Sequence, residues 1–154
     1  GLGDGDKRGY VLDDVSRQGT PSQWANRAIS VFDKWEADAI VIEINQGGDM
    51  VRHTLESIRP GIPIIEVRAT RGKHIRAEPI SSLYSLGRIS HVGTFIKLED
   101  QLCQMTAGGY VGEGSPDRVD ALVWGFTHLF PKLVERPSVA RKRLTPRAAS
   151  GWMG

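Results

Sequence analysis

Apolar residues in this chain alternate between short unbroken runs and longer stretches where they recur every three or four positions, the signature of strands and helices in turn. The segment Tyr10-Val11-Leu12-Asp13-Asp14-Val15 predicts a strand. Thr20 and Pro21 then open a helix as cap and first helical residue, and Trp24, Ala28, Val31, Phe32 and Trp35 recur along one face of it. Ala39-Ile40-Val41-Ile42-Glu43 predicts a short strand, apolar enough to be covered on both faces. After Asn45-Gln46-Gly47-Gly48, the residues Met50, Val51, Leu55 and Ile58 mark a second helix, stopped by Pro60-Gly61. A third strand is expected over 62–68, with Pro63 near its start, and a third helix over 72–86, ended by Gly87. Ile89-Ser90-His91-Val92 predicts an edge strand, 97–106 a helix, 107–114 a flexible glycine-bearing loop, and Pro116 to Phe130 a last helix capped by Ser115. Strands alternating with helices predict an α/β fold with parallel strand pairs covered by helices.

No repeat and no second globular unit interrupts this order, so residues 1–134 are read as one domain and 135–154 as a basic tail. A chain of 154 residues suits a single core. The tail carries Arg136, Arg141, Lys142, Arg143 and Arg147 without an acid, a solvated end or an electrostatic contact to nucleic acid or an anionic membrane. A net charge of only +2 supplies no global field for a polyanion. Cys103 is the single cysteine, which excludes an internal disulfide and fits a reducing compartment; its helical surroundings predict a small apolar filler. No apolar run reaches the roughly 20 residues of a membrane span, and no signal peptide opens the chain, so a cytoplasmic protein with no membrane partner is expected. The opening, Gly1 to Gly9, is turn chemistry without a strand before it, from which a missing preceding strand is expected.

Carboxylates at the ends of apolar elements need a cation to meet them. Glu43 ends a strand, where ligands gather in open α/β sheets. Asp117 and Asp120 share one face of the last helix. A first-turn acid is ordinary helix-start chemistry for Asp117, but Asp120 lies among Val119, Ala121, Leu122, Val123 and Trp124. Together the acids would make an oxygen-rich site for Mg²⁺ or Mn²⁺, and a two-metal site would suit phosphodiester hydrolysis. Lys73 and Arg76 belong to a basic cluster at a helix start, where phosphate binding and simple solvation are both open. The glycine turn at 45–48 is open in the same way. His53, His74, His91 and His128 lack zinc-ligand spacing, and no serine nucleophile elbow is present.

A set of motifs in order resembles a known family. These are Ile42-Glu43-Ile44-Asn45-Gln46-Gly47-Gly48, Arg71-Gly72-Lys73 with Arg76-Ala77-Glu78-Pro79, Gly87 to Gly93, Leu98-Glu99-Asp100-Gln101, and Ser115 to Leu122. From about Tyr10 to Phe130 the chain resembles the C-terminal nuclease domain of the terminase large subunit, the DNA-packaging motor of tailed phages, prophages and gene transfer agents. The resemblance implies a ribonuclease H-like mixed sheet flanked by helices, here lacking the N-terminal strand or strands. It implies a Mg²⁺- or Mn²⁺-dependent endonuclease that cuts concatemeric double-stranded DNA, acting beside an N-terminal ATPase domain, the portal and the small terminase subunit. By motif, Glu43 matches the strand-end acid and Asp117 the acid opening the last helix, with Asp120 one turn on contributing. Lys73, Arg76 and Arg118 would neutralise phosphates. The family's first-strand aspartate has no counterpart, since Asp13 and Asp14 lie on a different strand, so weak metal binding and slow or absent cutting are expected of this polypeptide. The alternatives are a non-catalytic module docking DNA or packaging partners, and an α/β domain binding a phosphosugar or nucleotide through its glycine turns.

Overall fold

The computed structural model describes residues 1–3, 5–44, 49–70 and 72–131. The glycine turn at 45–48, Arg71 and the basic tail lie outside the described residues. In chain order the elements are β1 (Gly9–Val11), α1 (Pro21–Lys34), β2 (Ile40–Glu43), α2 (Asp49–Ile58), β3 (Ile64–Val67) and α3 (Lys73–Ser85). They continue with β4 (Ile89–His91), α4 (Ile96–Cys103), β5 (Met105–Thr106), β6 (Gly109–Tyr110) and α5 (Asp117–Leu129).

Local chemistry sets the boundaries. The Thr20 backbone N–H donates to Gln23 Oε1 at 3.0 Å, half of a capping box, and Pro21 takes the first helical position where no donor is needed. Gly87 stands at φ +63°, a left-handed conformation that costs glycine nothing. There its N–H donates to Tyr84 O at 2.9 Å and the Arg88 N–H to Leu83 O at 2.8 Å, closing α3 as the sequence predicts.

The expected alternation of helices and strands is present, with both parallel and antiparallel pairs among the described residues. The described strands form three two-stranded ladders: β1 with β4 and β2 with β3, both parallel, and β5 with β6, antiparallel. The remaining edge of β1 meets the opening residues, where Tyr10 N–H donates to Gly1 O at 2.8 Å and Gly3 N–H to Arg8 O at 2.8 Å.

Two hydrophobic clusters follow this division. The larger gathers Val11, Ile80, Leu83, Ile89, Leu98, Val119, Val123, Phe126 and Phe130 from β1, β4 and α3 to α5. The smaller gathers Ala25, Ile42, Leu55 and Ile62 between the β2–β3 ladder and helices α1 and α2. A groove of about 630 Å³ runs where they face each other, lined on one side by Val11, Leu122 and Phe126 and on the other by Trp24, Phe32 and Ile40.

Several sequence expectations are corrected. β2 is not covered on both faces: only Ile42 is buried, because the groove leaves part of the strand open. The helix expected over 97–106 ends at Cys103, and Met105–Thr106 instead pairs with Gly109–Tyr110 of the expected loop in a tight hairpin, with Gly109 at φ +121°. Ser115 does not cap α5. Pro116 holds that position, and the Ser115 hydroxyl instead accepts from Lys73 Nζ at 2.9 Å. Cys103 is exposed at the end of α4, so it is not a core filler. Among the described residues no helix is long and apolar enough to cross a membrane.

Candidate functional site

Glu43 is the last residue of β2, in register with Val67 of β3. Its place at the carboxyl end of a parallel strand directs it away from the smaller cluster and toward the helices of the larger one. Asp120 sits in the first turn of α5, on a helix whose other face is anchored by buried Val119, Val123 and Phe126. Arg76, on the first turns of α3, lies between them. One guanidinium nitrogen is 3.6 Å from Glu43 Oε1 and the other 3.2 Å from Asp120 Oδ1. The Arg76 side chain is only 11 % exposed and Asp120 15 %, so these charges meet with little water around them. The Arg76 guanidinium also stacks on the Trp124 ring, 4.5 Å from its centroid, one helical turn beyond Asp120.

Lys73 stands one turn before Arg76 on α3, as the three-residue spacing predicts, and pairs with the second oxygen of Asp120. The same ammonium donates to Ser115, tying the start of α3 to the residue just before α5. The helix start read as a phosphate-binding cluster therefore delivers its cations onto the acids.

The other expected site residues are placed differently. Asp117 is exposed on the first turn of α5, and among the described residues no hydrogen bond or ion pair joins it to Glu43 or Asp120. Arg118 turns to the opposite side. Its Nε donates to Asp14 Oδ2 at 2.9 Å and its backbone N–H to Gln101 Oε1 at 3.1 Å, so it ties α5 to the segment after β1 and to α4. Asp13 pairs with Lys34 at 2.8 Å. Neither Asp13 nor Asp14 pairs with Glu43, and both lie just beyond β1 rather than on the strand expected over 10–15.

A polar chain that sequence reasoning missed lies between α3, β4 and α4. His91 Nδ1 is 2.9 Å from Glu99 Oε1 and Nε2 is 2.7 Å from the Tyr84 hydroxyl. A carboxylate only accepts, so Nδ1 carries a proton and donates to Glu99, while Nε2 shares a hydrogen bond with the Tyr84 hydroxyl. The hydrogen bond from His91 and then that from the Phe95 N–H hold the Glu99 carboxyl below its ordinary value, while burial pushes the Tyr84 phenol up. Only the helical offset of Tyr84 and the acid of the Leu98-Glu99-Asp100-Gln101 string hinted at it.

Glu43 and Asp120 are hard oxygen donors, and cations already lie against both, so in kind they fit Mg²⁺ or Mn²⁺. In number they are short: among the described residues no three histidine, cysteine, aspartate or glutamate side chains gather as a metal-binding group.

Helices alternating with parallel strand pairs fit an α/β domain of the ribonuclease H-like class. Within that class the chain belongs to the terminase RNaseH-like domain family, whose profile matches residues 3–129. No curated protein and no solved structure gives a significant match.

Proposed function

We propose that this chain is the divalent-metal-dependent DNA endonuclease domain of a packaging terminase, with Glu43 and Asp120 as its principal carboxylates. The observation that carries the reading is their approach to a shared guanidinium, although they come from a strand and a helix far apart in sequence. Bound there, Mg²⁺ or Mn²⁺ would activate water and stabilise charge on the scissile phosphate. Asp117, in the same helical turn as Asp120, is the side chain available for a second ion of a two-metal site. Lys73 and Arg76 would neutralise the backbone phosphates of double-stranded DNA, giving affinity that falls steeply with salt and reads little sequence. Arg118 would serve that role only after releasing Asp14. In the full motor the domain would cut concatemeric DNA beside the ATPase domain, portal and small subunit, in the host cytoplasm.

A second reading, a non-catalytic module docking DNA or packaging partners, is favoured by one observation. Arg76 and Lys73 already balance both acids, as in a structural ion-pair network. Supercoiled plasmid cleavage in Mn²⁺ separates the two. The endonuclease reading expects nicking that is lost in Glu43→Gln and Asp120→Asn. Salt-sensitive DNA binding without any cleavage, unchanged by Glu43→Gln, would favour docking.

A further inference from the structure

We infer that Arg76 is a built-in counter-cation: it holds Glu43 and Asp120 together when no metal is bound, and competes with a divalent ion for them. The inference rests on the metal-site reading above and concerns how that site is regulated. Two carboxylates brought side by side in a poorly hydrated place repel each other, and a positive group between them removes that cost. Arg76 is built for this position. Its planar fork offers separate N–H groups to acceptors from two elements, 3.6 Å and 3.2 Å away, where an ammonium would act as a single point. Asp120 and Trp124 lie one turn apart on the same face of α5 and grip the guanidinium from its edge and its face. Lys73 differs. Its side chain is 47 % exposed, so it is the more easily displaced partner of Asp120.

A divalent ion approaching Glu43 and Asp120 meets this fixed positive charge. Binding must therefore overcome repulsion from the guanidinium and take over oxygens that Arg76 and Lys73 now hold. When that happens, both cations lose their carboxylates and become available to phosphate oxygens beside the same site. Metal binding and phosphate binding would thereby reinforce each other. Arg76 is on this account a positioning residue, acting on the reaction through the acids.

The test uses the full chain, with Mn²⁺ alone as probe, followed by the loss of the free Mn²⁺ signal in electron paramagnetic resonance and by thermal melting. Arg76→Met is expected to bind Mn²⁺ about tenfold more tightly than the parent. Without metal its melting temperature should fall, and saturating Mn²⁺ should restore most of the difference. Arg76→Lys should lie between the two, and Lys73→Met should bind a few-fold more tightly, since removing either cation removes a competitor. Glu43→Gln should lose binding in every background. A purely structural arginine predicts the opposite, weaker metal binding in Arg76→Met. Should Arg76→Met fail to fold, Arg76→Lys and Lys73→Met decide. Equal or weaker Mn²⁺ binding in the arginine and lysine variants, with Glu43→Gln still defective, overturns the counter-cation while leaving the metal site standing. No Mn²⁺ binding by the parent removes both.

Discussion

The two apolar clusters divide the molecule into unequal halves. The larger joins β1 and β4 to three helices through nine buried side chains; the smaller holds β2 and β3 between two helices with four. Two sets of salt links show a similar contrast. In the larger half Arg118 and Asp14 are largely buried, while the ion pairs of the smaller half, such as Arg52 with Glu56 and Glu66, lie at the surface. The candidate site belongs to neither half alone, because Glu43 comes from the smaller and Arg76, Lys73 and Asp120 from the larger. A site astride a seam depends on both halves holding position, and the thinner core sets how well the strand-end acid is placed.

Removing packing from each half in turn breaks the comparison most strongly. Phe126→Ala, in the larger cluster, is expected to cost about 4 kcal/mol in urea denaturation. Leu55→Ala should cost about 3 kcal/mol, and hydrogen exchange should then show β2 and β3 opening while β1 and β4 keep their protection. Uniform loss of protection in both variants would mean that the halves unfold as one unit.

A smaller effect sharpens the contrast in electrostatics. Arg118→Ala leaves Asp14 without its guanidinium in a place where the carboxylate is only 13 % exposed, and should cost about 2 kcal/mol. Arg52→Ala, at a well-solvated pair, should leave the denaturation midpoint nearly unchanged.

The smallest expected effect concerns a link between the halves, Lys34 of α1 with Asp13 beyond β1. The hydrogen bond from Lys34 holds the Asp13 carboxyl below its ordinary value. The pair therefore contributes fully above the unfolded-state pKa of aspartate, and its contribution fades as pH falls through the lower folded value. Asp13→Asn should cost about 0.5 kcal/mol near neutrality, given the solvent around Lys34. The difference from the parent should vanish in strongly acid solution, as followed by thermal melts across pH. A difference that persists there would mean that Asp13 acts through packing.

Much of this architecture was legible because it is local. Thr20 and Pro21 announce α1, and Gly87 announces the end of α3, since cap chemistry needs only near neighbours. The expected last helix differs from α5 by a residue at each end. Strands of two residues have no period to detect, which is why Met105–Thr106 was read as the end of a helix and Gly109–Tyr110 as loop. The separation of the ladders was also hidden, since apolar runs show that a strand is buried but not which edge finds a partner.

At the site, Glu43 and Asp120 stood out because acids amid apolar residues need a reason. Lys73 and Arg76 stood out only together, as a basic helix start, and it is the packing of α3 against α5 that sets Arg76 on an indole and leaves Lys73 half exposed. The pairing of Arg118 was hidden for the same reason: its partner Asp14 lies 104 residues away, beyond any pattern a sequence displays.

The stacking of Arg76 on Trp124 gives the protein a native optical gauge. An indole's emission responds to a charge held over its ring, so withdrawal of the guanidinium from that face would register as a change in tryptophan fluorescence. On the proposed counter-cation account, arrival of a metal ion at the acid pair would then be followed in unlabelled protein, on the timescale of mixing.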